Sequence, residues 1–396
     1  MIVDKKNNIS KGSKNVQVPD QLIEAYDKYT KEHEKDVYDE TELVKKHSLD
    51  YPFSIVGINK EFKAESKGVS SYKKTWNYGE IHRSIIVNYS KYVKTVIENV
   101  NFHVNSHECF GLLGPNGAGK STILSMLIGL YGPSFGDIYF NGKNMKEISD
   151  LTIGYCNQED ILWKELTLRE HLEFFLELRG FPSDQIQECA TQYIRYCDLE
   201  KHQNKKVTTL SGGTKRKLSV LLAVCGYPKN IILDEPTAGM DPCTRRFIWE
   251  IIKDIKKREQ SSIIMTTHSM EEAENLCDRL TILLNGRLSC IGSPEYLTMT
   301  YATNYILDVE SHRIDDFHHE YFENTHSILH ELPFKYEKQT SNRSKYFISN
   351  QGNIEILFET LEDAKNKKFI TDYVLTGSSL DDVFLEFVKN ANKEDN

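Results

Sequence analysis

No stretch of this 396-residue chain approaches the run of roughly 18 apolar residues that a membrane-spanning helix needs, so no transmembrane helix is expected. The first ten residues are polar and lysine-rich, without the apolar core of a secretory leader. Basic charge is not in surplus. The net charge of −9 argues against a general nucleic-acid binder, whose footprint would be basic. The eight cysteines form no C-x-x-C pair and read as reduced thiols of a cytosolic chain. No heptad run is present, which disfavours a long coiled coil. What remains is an ordinary globular composition, 39% hydrophobic and 27% charged, in a chain long enough for two or more domains.

The chain is organised around Gly114-Pro115-Asn116-Gly117-Ala118-Gly119-Lys120-Ser121-Thr122, which fits Gly, four residues, then Gly-Lys-Ser/Thr. The apolar run 109–113 before it reads as a buried strand, and 123–128 after it as a helix. In that context the glycines let backbone N–H groups turn inward around phosphate oxygens, and the helix dipole adds to the attraction. Lys120 is placed to reach the β- and γ-phosphates, and the Ser121 hydroxyl to meet Mg²⁺.

Residues 1–51 are polar and densely charged and read as a flexible arm, with a short helix possible at 22–26. A strand is predicted over 55–62 and another over 96–104. Between them the insert 64–92 is rich in Ser, Tyr, Lys and Gly. From Lys60 to Lys94 there are eight Lys or Arg against three Glu, which reads first as a solvated loop and second as a surface for lipid head groups or another partner. Residues 137–143 read as a strand and an Asn-Gly turn, a strong hairpin signal. The strand 153–156 ends at Gln158, and helical spacing from 167 to about 201 predicts a helical subdomain.

Ser211 is placed to cap a helix beginning at Gly212 and Gly213, a second helix N-terminus open to an anion. The buried strand 231–233 ends in Asp234 and Glu235, and the strand 263–267 ends at His268. Strand C-termini are where open α/β sheets place ligand chemistry. Ser269 and Glu272 read as a capping box for the helix that follows, and 281–291 as a closing hairpin. Beyond Pro294 the character changes. Residues 303–390 read as a small α+β domain whose last helix is capped by Ser379 and Asp382.

Together these motifs resemble the nucleotide-binding domain of ABC transporters over about residues 52–296. Residues 114–122 match the Walker A loop, Gln158 the Q-loop, Leu210-Ser211-Gly212-Gly213 the signature, and 231–235 Walker B with its glutamate. Ala238-Gly239-Met240-Asp241 matches the D-loop and His268 the switch histidine. A closer likeness is to the second nucleotide-binding domain of the A subfamily, large lipid exporters. It rests on Phe110-Gly111-Leu112-Leu113-Gly114, on residues 211–219, on Gly239-Met240-Asp241-Pro242, on His268-Ser269-Met270-Glu271-Glu272 and on the tail 379–385. Thr214 stands where many ABC proteins carry Gln. Phe62 looks like the adenine-stacking aromatic, with Tyr92 as the alternative.

The resemblance implies an α/β fold, a P-loop NTPase of the ABC ATPase type with a helical subdomain, followed by a small α+β regulatory domain. It implies ATP and Mg²⁺ as cofactors, with Ser121, Gln158 and Asp234 holding the metal, Glu235 polarising the attacking water, and His268 and Lys120 on the γ-phosphate. Ser211, Gly212 and Gly213 would cap the nucleotide of a second such domain. The implied partners are that domain and the transmembrane domains of a transporter, at the cytoplasmic face of a membrane. A lipid substrate follows from the subfamily likeness alone, and no nucleic-acid partner is implied. Two other classes fit part of the pattern: a nucleotide-gated regulatory protein with little turnover, and an ABC ATPase that serves no transporter.

Overall fold

The computed structural model describes residues 35–63, 93–149, 151–258, 261–302, 304–324, 333–349 and 354–394. The insert 64–92 with Tyr92, and the helix suggested at 22–26, lie outside the described residues. The chain divides into two compact units, Met1–Pro294 and Glu295–Asn396.

In the first unit, α1 (Lys35–His47) precedes β1 (Phe53–Lys63) and β2 (Val93–Val104). Next come β3 (Cys109–Leu113), α2 (Lys120–Leu127), β4 (Phe135–Phe140), β5 (Lys143–Asn144) and β6 (Ile153–Cys156). Helices α3 (Leu168–Leu178), α4 (Ile186–Tyr196) and α5 (Gly212–Val224) follow, and then β7 (Asn230–Asp234), α6 (Pro242–Arg258) and β8 (Ser262–Thr267). The unit closes with α7 (Met270–Leu276), β9 (Arg279–Leu284) and β10 (Arg287–Gly292).

Two sheets result. One is antiparallel, in the order β2-β1-β4-β5. Its β4–β5 turn places Asn141 at φ 48° and Gly142 at φ 76°, the doubly left-handed pair an Asn-Gly hairpin favours. The other has six strands in the order β10-β9-β3-β8-β7-β6. From β9 to β6 every neighbour is parallel, and β10 returns antiparallel beside β9. Strands β3, β7 and β8 are buried along their whole length, as parallel strands covered on both faces must be. Ile123, Leu124, Met126 and Leu127 of α2 enter one apolar core with Phe53, Phe102, Phe110, Ile138 and Ile264, so the helix packs against strands of both sheets.

The flexible arm expected over residues 1–51 is corrected at its C-terminal part, because 35–47 form α1. Polar composition hid a buried face. Glu40 accepts from the His103 backbone N–H (2.9 Å), His103 Nδ1 (2.6 Å) and Arg279 Nη2 (2.6 Å), and Val44 is buried. Asp36 accepts from the Ile291 N–H (2.7 Å), so α1 is tied to β10 as well. All eight cysteines are free thiols, and burial pushes Cys156 up to about 12 and Cys225 up to about 11.

The second unit opens with α8 (Pro294–Tyr301), β11 (Asn304–Glu310) and α9 (Ile314–His318), which runs into a π-helical turn at His319–Glu323. After β12 (Phe334–Lys338) and β13 (Arg343–Ser349) come α10 (Ile354–Asn366), β14 (Asp372–Gly377) and α11 (Leu380–Glu394). Its sheet is antiparallel in the order β12-β13-β11-β14. One face packs Leu307, Phe317, Phe322, Tyr346, Leu357 and Leu361 into a separate core. The last helix carries the expected reciprocal cap: Ser379 N–H donates to Asp382 Oδ2 (2.8 Å) and Asp382 N–H to Ser379 Oγ (3.3 Å).

Candidate nucleotide site

Strands β3, β8, β7 and β6 lie side by side and parallel, so their C-terminal ends share one edge of the sheet. Residues 114–122 follow β3, His268 follows β8, Glu235 follows β7 and Gln158 lies just past β6. Four segments far apart in sequence are thereby delivered to one place.

The loop after β3 has its shape dictated by glycine. Gly114 sits at φ 155° and Gly119 at φ 111°. A Cβ on Gly114 would stand 2.4 Å from the Leu283 carbonyl oxygen, and one on Gly119 2.4 Å from Ile97 Cδ1. No side chain caps α2, whose N-cap is Gly119, so its first-turn N–H groups are left for an anion. Lys120 is buried and its ammonium donates to the carbonyls of Gly114 (2.7 Å) and Pro115 (3.3 Å), across the mouth of the loop. Burial pulls its pKa below the ordinary lysine value, while Glu235 and Asp234 oppose the shift. Ser121, Asn116 and Gly117 are exposed.

Asp234 is buried at the end of β7 and accepts a hydrogen bond from the Thr266 hydroxyl. Burial raises its pKa above the ordinary aspartate value, against the lowering effect of that bond. Glu235 has φ 46°, so the chain leaves the strand through a left-handed residue that is not glycine. Such conformations cost energy and persist where the surroundings over-determine them. Here the Glu235 N–H donates to Thr266 Oγ1 (3.0 Å) and to the Thr266 carbonyl (3.2 Å). The turn aims the carboxylate between two other elements: Glu235 Oε2 lies 3.5 Å from Gln158 Nε2 and 3.4 Å from His268 Nδ1. Thus Lys120, Gln158, Asp234, Glu235 and His268 form one constellation.

Two sequence-selected groups lie on other elements. Phe62 on β1 meets the Tyr131 ring edge-on at 5.7 Å, and the Lys60 ammonium lies over both rings. Ser211 caps α5 by accepting from the Thr214 N–H (3.3 Å), leaving Gly212 exposed and Gly213 half-buried. Among the described residues, a Cβ on either glycine would meet nothing within 4 Å.

Sequence reasoning missed two buried side chains that hold the site. Arg216 on α5 bonds the backbone at the ends of β6 and β7. The expected capping box at Ser269 is only half made: the Glu272 N–H donates to Ser269 Oγ (3.4 Å). The Glu272 carboxylate turns inward instead and accepts from Thr237 Oγ1 (2.7 Å), Thr267 Oγ1 (2.6 Å) and Trp249 Nε1 (3.1 Å). Three buried donors outcompete the helix end, and they join the segment after Glu235 to the residue before His268. For Arg216 a signal existed: it extends at helical spacing the face that carries buried Ser219, Val220 and Ala223.

Residues 97–238 match the family model described as "ABC transporter". Among curated proteins, "ABC transporter A family member 11" of Dictyostelium discoideum is 36% identical over 306 residues, 74% of this chain and 36% of the relative. The rat "Cholesterol transporter ABCA5" is 34% identical over 77% of the chain and 19% of the relative. The human "Glucosylceramide transporter ABCA12" is 33% identical over 92% of the chain and 13% of the relative. The chain therefore spans about a third, or less, of the length of these relatives. Among solved structures, an ATP-binding subunit of an ABC transporter aligns at TM-score 0.51 and 25% identity, covering 63% of this chain and 92% of that one. The ADP- and phosphate-bound dimeric cassette MJ0796 aligns at TM-score 0.51 and 21% identity, covering 61% of this chain and 98% of that one, a likeness of fold.

Proposed function

The chain belongs to the ABC transporter family, with A-subfamily proteins as its curated relatives, and from that premise we propose that it is the ATP-binding and ATP-hydrolysing part of a transporter that moves lipids across a membrane. The observation that carries the reading is the left-handed turn at Glu235, which holds one carboxylate oxygen between Gln158 and His268 at the edge where the phosphate loop opens.

In this reading the 114–122 loop and Lys120 bind the β- and γ-phosphates. Glu235 orients the attacking water and accepts its proton, and His268, exposed beside it, braces the γ-phosphate. The donors available to Mg²⁺ fit a hard cation: the Ser121 hydroxyl, the Gln158 amide and the Asp234 carboxylate. A single carboxylate in that set matches Mg²⁺, which is usually bound by one or two carboxylates together with substrate phosphates and water. When bound, Mg²⁺ supplies neutralisation of phosphate charge. Phe62 is the candidate ring for adenine.

Gly212 and Gly213 support a composite site. Among the described residues nothing approaches closely enough to require glycine. A ligand presented by a second nucleotide-binding domain would require it, because the α5 N–H groups must come within hydrogen-bonding distance of phosphate. Among the described residues no helix is long and apolar enough to cross a membrane, so transport needs transmembrane domains as partners. The exposed apolar side chains Ile161 and Trp163, just past Gln158 in the chain, and Phe174 and Leu178 of α3, with Trp163 meeting Phe174 edge-on at 5.1 Å, are the surface offered to them at the cytoplasmic face. The lipid substrate rests on the names of the relatives.

ATPase rate against protein concentration, for the parent and for Glu235→Gln with Mg²⁺ present, tests the reading. Turnover per chain should rise with concentration and fall by ~10² or more in the variant, with ATP still bound. Parental turnover in Glu235→Gln would remove Glu235 from the base role. Tight binding without turnover at any concentration would instead favour a nucleotide-gated regulator.

A further inference from the structure

Arg216 is charged, only 4% exposed, and lies on α5 just past the glycines of the signature. Its guanidinium is spent on the backbone of the site. Nε donates to the Pro236 carbonyl (2.9 Å), and Nη2 to the carbonyls of Asp234 (2.7 Å) and Glu235 (2.7 Å). Nη1 donates to the carbonyls of Asn157 and Gln158 (3.1 Å) and stands 3.3 Å from Asp160 Oδ1, which Ser219 Oγ also holds at 2.8 Å. One planar fork thus grips both strand ends that present Gln158 and Glu235. The three residues of the left-handed turn at Glu235 all give it a carbonyl.

We propose that Arg216 is a positioning residue for Glu235: it fixes the Glu235 turn and the Gln158 segment to α5, so that the seating of the signature helix sets how well its own chain's carboxylate is aimed. This rests on the role proposed for Glu235 and goes beyond it. The geometry explains the residue type. Five carbonyls spread over two segments need a rigid fork with five N–H donors, whereas a lysine is a single point with three. It also explains how Glu235 keeps a positive φ: Thr266 holds its N–H while Arg216 holds the carbonyls on both sides. Because α5 begins at Ser211-Gly212-Gly213, a pull on that helix end from a nucleotide bound by a second domain reaches Glu235 through one side chain. Turnover at the two sites of a dimer is thereby coupled without any further element.

A double-mutant cycle on the full chain tests this, using Arg216→Lys, Glu235→Gln and the double variant. Single-turnover Mg-ATP hydrolysis, affinity for a fluorescent ATP analogue and Tm are read for each. Arg216→Lys should lower the rate roughly 10- to 100-fold while ATP affinity stays within about threefold. In the Glu235→Gln background the same substitution should cost nothing more, because Arg216 acts through Glu235. An unchanged rate in Arg216→Lys, or losses that multiply in the double variant, would overturn the proposal. Parental turnover in Glu235→Gln alone would instead overturn the role of Glu235, and that arm is read first. If Arg216→Lys does not fold, Asp160→Asn takes its place, since it removes a carboxylate contact and no carbonyl contact. A loss of about threefold that disappears with Glu235→Gln is then expected, and a loss that multiplies overturns the proposal.

Discussion

Gly213→Ala separates the demands of the fold from those of the ligand. Gly213 lies in the first turn of α5 at a backbone conformation open to any residue, and among the described residues an added Cβ meets nothing within 4 Å. By the rules of the isolated chain, alanine is the better residue. It removes unfolded-state entropy and should stabilise by about 0.4–1 kcal/mol, a rise of roughly 1–3 °C in Tm. The composite-site reading demands the opposite for activity. A methyl at the mouth of the helix holds the phosphate away from the α5 N–H groups, and each charge-assisted bond so weakened is worth about 1.5–3 kcal/mol. Loss of one or two such bonds corresponds to a loss of roughly 10-fold to 10⁴-fold in turnover.

The assay pairs thermal unfolding with ATP turnover at a concentration where the parent is saturated in dimer. Affinity for a fluorescent ATP analogue at low concentration should be unchanged, because the chain's own phosphate loop is untouched. Gly119→Ala is the control. Its Cβ would fall 2.4 Å from Ile97 Cδ1 at φ 111°, so it should lose stability, by about 1–3 kcal/mol, together with ATP binding. A Gly213→Ala chain as active as the parent would refute the ligand's demand for glycine, and one less stable than the parent would show that Gly213 serves its own fold.

Three other outcomes follow from buried charge. Glu40→Gln should lower stability by about 1–3 kcal/mol, because His103 and Arg279 lose a buried carboxylate partner while Arg279 keeps Glu108 at 3.4 Å; Tm falls while turnover well below it stays parental. Asp234→Asn should be more stable than the parent near neutral pH yet inactive with Mg-ATP. The folded-state pKa of Asp234 is raised, so its ionisation opposes folding above the ordinary aspartate range, and the Tm difference should vanish as pH falls through that range. Lys120 is shifted down, so ATP affinity should weaken on the alkaline side at a pH below the ordinary lysine pKa; an affinity flat up to that pKa would contradict the burial argument.

How much of this was legible in the sequence depends on the range over which each signal acts. Strands β3, β7 and β8 are short apolar runs bounded by glycine or polar residues, and their ends carry the candidate site, so the loop, Asp234, Glu235 and His268 could be read locally. The ABC-type ATPase fold was expected from the resemblance that those motifs, in their order, bear to ABC nucleotide-binding domains. Burial of a charge is different, because it is decided by a partner far away in the chain. Glu40 lies 239 residues from Arg279, and nothing in the polar stretch around it marks one carboxylate as interior. Glu272 looked like half of a helix cap because local rules pair it with Ser269, and the donors that claim it come from Thr237 and Trp249, on other elements.

Buried polar residues at the site share a property. Arg216 and Glu272 each bond two or more of the segments that converge on it, and Thr266 ties the end of β8 to Asp234 and Glu235. The sequence motifs supply the groups that would meet ATP, while these buried polar residues fix the distances among them. A buried carboxylate or guanidinium with every bond made is costly to disturb, because each partner left behind loses its only substitute for water. The site is therefore expected to move in rigid pieces joined at α5 and at the Thr237–Thr267 link. Substitutions at those joints should change turnover more than nucleotide affinity.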